Sequence, residues 1–393
     1  MFSAVFILGA RQVGKTTLAR SIRPDWRYFD LENENHYAQI THDVHFFFEA
    51  NPSQLILDEA QIYPQLFNAL RGVIDANRNQ VGRFLITGSS NPLLLDHVSE
   101  SLAGRVAFVE LGTLKVNEYF ERPMSRFYHL FENKLSKKAL QFEHELISSD
   151  KVQHVWLRGG YPEPLIKRDP YFYNQWMENY FNTYINKDIA DLFSRLSRPT
   201  YRRFISMLAK LSSTILNKSD LARALEVSEG SVRQYLTIAQ ATFLWNELQS
   251  YEKSIFKTIV KMPKGYMRDS GVLHHLLSIH SIEDLYANPV VGHSFEAFVI
   301  DEVIKGLNAT MVTNWEANYY RTRKGSEVDL ILHGPFGVLP IEIKYGSKTA
   351  FDQIKTLIEF VRANKLLFGI LLNQSKEAKW LCPEVFQLPV GYL

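Results

Sequence analysis

Three groups of residues in this 393-residue chain have the types and spacing to do chemistry. The first is Gly9-x-x-x-x-Gly14-Lys15-Thr16, directly after the apolar run from Phe2 to Leu8 and directly before a helical pattern. Glycines at those positions let backbone N–H groups close around phosphate oxygens, and the helix start adds its partial positive charge. Lys15 is expected to reach the β- and γ-phosphates, Thr16 to hold Mg²⁺, and Thr17 to stand beside them at the nucleotide. The second group is Asp58–Glu59, closing the apolar stretch QLILDEAQ. Asp58 suits the Mg²⁺ shell, and Glu59 can orient and deprotonate an attacking water. A further buried strand, RFLITGSSN, ends in Ser89, Ser90 and Asn91, a polar tip suited to sensing the γ-phosphate or the lytic water. Three such strand ends predict ATP binding. Arg105, in SLAGRVAFVEL, has two readings. It is either a finger on a neighbouring subunit's nucleotide, which requires a homo-oligomer, or a salt bridge or phosphate contact in cis.

The third group lies far downstream, in GSEVDLILHGPFGVLPIEIKYG. Two alternating runs flank a Gly/Pro turn, the pattern of a hairpin. Symmetry about Pro335–Phe336 sets Asp329 opposite Glu342 and Glu327 opposite Lys344 on one face. Val328, Leu330, Ile341 and Ile343 are then expected to point into the core. Two adjacent carboxylates repel unless a cation sits between them, and oxygen ligands suit Mg²⁺ or Mn²⁺. Such an ion would polarise a phosphodiester and generate hydroxide, with Lys344 activating water or stabilising the developing charge. Glu296, near the start of the helix GHSFEAFVIDEVIKGL, is the expected further ligand; Glu302, six positions on, does not share its face. The competing reading is a solvated sheet face with cross-strand ion pairs.

The elements that must position these groups divide the chain. Residues 1–120 read as a strand–loop–helix unit continued by further buried strands, an α/β core. Residues 121–200 are mostly helical and aromatic, with a rigid turn at LRGGYPEP, and are expected to form a lid over that core. Residues 201–268 hold a helix–turn–helix pattern with a strand-like wing, Ser219 and Ser228 capping its two helices. A DNA reading of it places Glu229, Ser231, Arg233 and Gln234 in the major groove, and the alternative is a plain connector. Residues 285–393 carry the helix, the hairpin, a second helix and another strand. His42 and His45 have metal-ligand spacing but no third partner, and are read as ordinary surface or core histidines.

Composition narrows the classes. The chain is 46% hydrophobic and 22% charged, with 19 Tyr and 26 Phe, so it can fill ordinary cores. A net charge of +2 gives no global basic field, so any DNA contact must be local. The one cysteine, Cys382, excludes internal disulfides and cysteine-based zinc sites and suits a reducing cytoplasm. No apolar run approaches ~18 residues, and no basic leader with a cleavage site is seen, so neither a membrane span nor secretion is expected. The first strand begins at residue 2, leaving nothing before it to pack the adenine. Either later segments hold the base or the true start lies upstream of Met1.

Taken together, GARQVGKTTLAR, LILDEAQ, FLITGSSN, SLAGR, RGGYP, RTRKGSEVDLIL and IEIKYG resemble the prokaryotic AAA-like ATPases that carry a C-terminal domain of unknown function. That domain is similar to the PD-(D/E)xK nucleases. The resemblance covers nearly the whole chain. It implies an ASCE-type P-loop core with a parallel sheet, a winged-helix middle and a restriction-endonuclease-like C-terminal domain. It also implies ATP with Mg²⁺ at Lys15, Thr16, Asp58 and Glu59. At the far end it implies a metal-dependent site at Glu296, Asp329, Glu342 and Lys344 that acts on DNA, or an inactive scaffold of the same fold.

Overall fold

The computed structural model describes residues 2–89, 102–142, 146–189, 193, 196–252, 262–322 and 325–393. The chain forms two compact units: residues 1–112 with 237–244, and residues 113–236 with 245–393.

The first unit is built on five parallel strands: β1 (Ala4–Gly9), β2 (Arg27–Asp30), β3 (Leu55–Asp58), β4 (Phe84–Ser89) and β5 (Val106–Glu110), in the order β2-β3-β4-β1-β5. Their apolar runs fit a parallel sheet covered on both faces. Phe6, Leu55, Leu57, Phe84 and Ile86 pack into one layer with Phe67 and Leu70 of helix α2 (Gln65–Ala76). Ile7, Ile56 and Leu85 meet Ala19 of helix α1 (Lys15–Ile22) on the other. Because β4 lies between β1 and β3, its end stands between the Gly9 loop and Asp58.

The second unit contains a nine-stranded sheet among the described residues. Its strands are β6 (Thr214–Ile215), β7 (Trp245–Ser250), β8 (Lys264–Met267), β9 (Glu316–Arg321), β10 (Glu327–Gly334), β11 (Gly337–Lys344), β12 (Gly369–Asn373), β13 (Lys379–Cys382) and β14 (Val385–Pro389). The order is β13-β14-β12-β11-β10-β9-β7-β8-β6. β9, β10 and β11 form an antiparallel meander, whereas β12 runs parallel to β11 and β14 parallel to β12. The parallel step requires a crossover, and helix α7 (Lys355–Ala363) supplies it. Helix α6 (Val291–Asn308) covers one face, where Phe295, Val299, Val303 and Leu307 meet Leu330, Leu332, Ile341 and Ile343. Leu357, Ile358 and Val361 of α7 cover the other, against Ile331 and Leu371.

Three expectations change here. Residues from the expected lid, Phe127, Tyr128, Phe131 and, on helix α3 (Ser149–Arg158), Trp156, fill the core of this second unit around α6. Their large aromatic surface is buried where an isolated lid would leave it in water. Val328 packs with α7 rather than with Leu330, because β10 shifts register against β9 between Val328 and Ile331. A bulge of that kind breaks the strict inside–outside alternation. The helix–turn–helix is formed by α4 (Lys218–Leu225) and α5 (Glu229–Ala241), but Asn217, not Ser219, caps the first, its side chain accepting from the N–H groups of Ser219 and Asp220. Ser228 accepts from the N–H of Ser231, as expected of a cap for α5. Part of the predicted wing, residues 253–261, lies outside the described residues. No helix among the described residues is long and apolar enough to cross a membrane.

Candidate functional site

In the first unit the strand ends converge as a nucleotide site requires, since ligands of parallel sheets bind beyond the carboxyl ends of the strands. Gly9 pairs with Ser89 across β1 and β4. Gly9 must lack a side chain, for a Cβ there would stand 2.3 Å from the Leu111 carbonyl oxygen. Gly14 takes φ 94°, which turns the loop into α1 at a conformation that other residues resist. Lys15 is buried and its ammonium donates to the carbonyls of Gly9 (3.1 Å) and Ala10 (2.8 Å). Burial lowers its pKa against the opposing pull of Glu59 and Asp58. Thr16 Oγ1 donates to Asp58 Oδ2 at 2.8 Å. Arg11, Gln12, Gly14, Lys15, Thr16, Thr17, Glu32 and Glu59 line an open pocket of about 260 Å³. The paired hydroxyl and carboxylate are hard oxygen donors and fit Mg²⁺.

Two residues that the motifs did not reveal also hold Asp58. The Tyr28 hydroxyl donates to Asp58 Oδ2 at 2.6 Å, and Thr87 Oγ1 donates to Asp58 Oδ1. Burial and then Asp58 raise the Tyr28 pKa, so the phenol stays a donor. Thr87 Oγ1 also accepts from the Glu59 N–H at 3.3 Å, and Gln61 Nε2 donates to Glu59 Oε2. Glu59 itself sits in the left-handed region at φ 53°. Thr87 is fully buried two residues before the polar tip of RFLITGSSN, and a hydroxyl inside an apolar strand was the available clue. Of the tip, only the Ser89 backbone is described; the Ser89 side chain, Ser90 and Asn91 lie outside the described residues.

Arg105 makes an ion pair within its own chain. Its guanidinium grips Asp75 of α2 with both arms, Nε to Oδ1 at 2.8 Å and an Nη to Oδ2 at 2.9 Å. Such a two-armed guanidinium–carboxylate fork is a strong and geometrically specific pair. His42 and His45 stand on either side of Asp43–Val44 at the start of a short helix, both exposed, and among the described residues they join no group of three potential metal ligands.

In the second unit the hairpin register is the expected one: Leu330 faces Ile341 and Gly334 faces Gly337, on either side of Pro335–Phe336. Asp329 and Glu342 are therefore neighbours, both buried, and Asp329 Oδ2 accepts from the Ile343 N–H at 2.8 Å. Lys344 Nζ lies 2.5 Å from Glu342 Oε1 and 3.9 Å from Asp329 Oδ2. Burial and then Asp329 hold the Glu342 carboxyl well above its usual range. Glu296 of α6 reaches the same place. Glu302 does not: it pairs with Lys305 at 2.9 Å and accepts from the Val116 N–H at 3.0 Å.

Two further members complete the group: Glu327, which hairpin symmetry set on this face without making it a ligand, and Lys264, which no sequence pattern marked. Glu327 joins Glu296 and Asp329, the three offering carboxylate oxygens within 4.8 Å of one another. Lys264 of β8 stands among these three, its ammonium in contact with Glu296 and Glu327 and 3.7 Å from Asp329 Oδ1. Burial works against the Lys264 ammonium, but Glu296, Asp329 and Glu327 outweigh it and raise its pKa. Burial in turn lifts Glu296 to about 8 against the pull of Lys264. As a donor set the carboxylates suit a hard cation, yet a side-chain cation already stands among them, so the group as built does not fit a divalent ion.

Residues 2–120 match the model of an AAA domain, residues 149–283 a domain of unknown function (DUF8612), and residues 291–393 another (DUF4143). Uncharacterized proteins of Mycobacterium bovis and Mycobacterium tuberculosis are each 32% identical over 355 residues, covering 89% of this chain and 72% of theirs. Among solved structures, a STAND-class signal transduction ATPase with a tetratricopeptide repeat sensor from Pyrococcus horikoshii is similar at 13% identity and a TM-score of 0.27. That likeness covers 78% of this chain and 46% of that one. The Orc1 protein of Aeropyrum pernix, solved with DNA, follows at 11% identity and a TM-score of 0.29, over 70% of this chain and 86% of that one. Structural likeness at these scores is too slight to carry an argument. The identity to the mycobacterial proteins is sufficient: this chain belongs to their family, with an AAA domain at its N-terminal end and a DUF4143 domain at its C-terminal end.

Proposed function

We propose that the chain binds and hydrolyses ATP, and that this cycle drives a C-terminal nuclease-like domain whose candidate partner is DNA. The observation that carries the first part is the convergence of Lys15, Thr16, Asp58 and Glu59 at the ends of β1 and β3. The loop N–H groups and Lys15 bind the β- and γ-phosphates, Lys15 exchanging its two carbonyl partners for phosphate oxygens. Glu59 orients the attacking water and takes its proton as the bond from the γ-phosphorus to the bridging oxygen breaks. Mg²⁺, when bound at Thr16 and Asp58, supplies charge neutralisation between the phosphates. Thr87 and Tyr28 keep Asp58 aimed. Lys15→Ala is expected to abolish phosphate release from ATP, and normal turnover in that variant would overturn the assignment.

For the C-terminal domain the cleavage reading rests on Glu296, Asp329, Glu342 and Lys344 standing together; Glu229, Ser231, Arg233 and Gln234 on α5 are its candidate groove contacts. The second reading, an ATP-driven regulatory or DNA-binding switch on an inert nuclease-like scaffold, is favoured by the ammonium of Lys264 among the carboxylates. Incubation of the full chain with duplex and single-stranded DNA, Mg²⁺ or Mn²⁺, and ATP separates the two. Cleavage lost in Asp329→Ala with ATP turnover intact supports the first reading, and no cleavage under any of these conditions supports the second.

A further inference from the structure

Lys264 reaches the carboxylate cluster from β8, three strands away in the sheet from β10, which carries Glu327 and Asp329, while Glu296 comes from α6. Its side chain is only 5% exposed and its strand is held on both edges, by β7 and by β6. An ammonium offers three N–H donors and no acceptor, and three carboxylates surround this one: Glu296, Glu327 and Asp329. These are the same three whose oxygens gather within 4.8 Å. A Mg²⁺ ion holds oxygen ligands at about 2.1 Å. It would therefore need the volume that Nζ fills, and it would bring a second positive charge into contact with the first. Nearby charges are already partly matched, with Lys344 on Glu342 and Arg321 3.7 Å from Glu327.

We propose that Lys264 is the resident cation of this cluster, so that the native domain takes no divalent ion there and becomes a divalent-cation site only when the ammonium is removed. The inference deepens the scaffold reading of the C-terminal domain and is independent of ATP hydrolysis. It gives the cluster a structural role. The carboxylates are held together by a lysine from a neighbouring strand, which ties β8 and the β7 ladder beside it to α6 and β10.

The test is Mn²⁺ binding by the full chain without nucleotide, read from the electron paramagnetic resonance signal of the free ion. Four proteins are compared: wild type, E296Q/D329N, K264M and K264M/E296Q/D329N. Any Mn²⁺ held at Thr16 and Asp58 is common to all four and cancels. Wild type and E296Q/D329N are expected to bind the same number of ions. K264M is expected to bind one more, and the triple variant to lose it. The proposal is overturned if wild type binds one ion more than E296Q/D329N, or if folded K264M binds no more than wild type. Should K264M fail to fold, K264Q, which keeps a polar group, takes its place. Thermal unfolding of wild type gives an arm that needs no variant. The transition of the second unit is expected at the same temperature in EDTA and in Mn²⁺, and a rise of several degrees in Mn²⁺ that E296Q/D329N abolishes would sink the idea. No readout involves ATP or DNA, so failure here leaves the ATPase reading standing.

Discussion

At the scale of single residues, the P-loop site is legible because its chemistry is local in sequence. Gly14, Lys15 and Thr16 are contiguous, and the strand QLILDEAQ announces Asp58 and Glu59 by ending in acid. Tyr28 and Thr87 carry no such mark; each reaches Asp58 only because β2 and β4 flank β3 in the sheet. Tyr28→Phe tests what that support does. A hydrogen bond to a charged group contributes roughly 1.5–3 kcal/mol, and loss of about 1.4 kcal/mol in the reactive state is tenfold in rate. Hydrolysis is expected to slow about tenfold while ATP affinity, measured with a fluorescent analogue, stays within about twofold. Arg105 teaches the opposite lesson. Its motif context permits a finger in trans or a contact in cis, and only the tertiary structure brings Asp75 of α2 within reach of the guanidinium.

Among the elements, α6 carries Asp301 and Glu302 buried, with Lys305 half-buried, beside apolar residues along its length. Two glycines on this helix make opposite predictions. Gly292 is exposed, with open space where a Cβ would stand, so Gly292→Ala is expected to stabilise by up to about 1 kcal/mol through helix propensity. At Gly306 a Cβ would lie 2.0 Å from Cζ of Tyr128, whose hydroxyl donates to the Glu302 carbonyl at 3.0 Å. Gly306→Ala is therefore expected to destabilise by about 1–3 kcal/mol despite the same propensity gain. Denaturant unfolding of both variants checks the signs.

Packed against α6, His274 places Nδ1 2.9 Å from the Leu157 carbonyl and Nε2 2.7 Å from Ser294 Oγ. Burial pushes its pKa down to about 4. A histidine depressed on folding binds fewer protons folded than unfolded between about pH 4 and its ordinary value near 6.5. Its contribution is thus complete above pH 6.5 and is lost as pH falls. Between pH 7 and pH 5 the second unit is expected to lose about 2 kcal/mol through this residue. His274→Gln should flatten that slope in urea titrations run at the two pH values.

At the scale of the molecule, ATP should act on one unit. With Mg²⁺ and ATP at 100 times the dissociation constant, the stability of the first unit is expected to rise by about 2.7 kcal/mol. Calorimetry of wild type should show the transition that carries this gain, and Lys15→Ala should not. The sequence alone determined the parallel core, the phosphate loop, the acid pair on β3 and the hairpin that sets Asp329 beside Glu342. Each follows from spacing within a few dozen residues, where strand period and turn chemistry leave little freedom. The tertiary structure decided the rest. It drew the aromatic segment 121–200 into the second unit, slipped Val328 to the opposite face through a bulge, and brought Lys264 across 63 positions to Glu327. Those outcomes depend on which distant surfaces bury one another and on which opposite charge lies nearest inside a core. Neither leaves a period in the sequence.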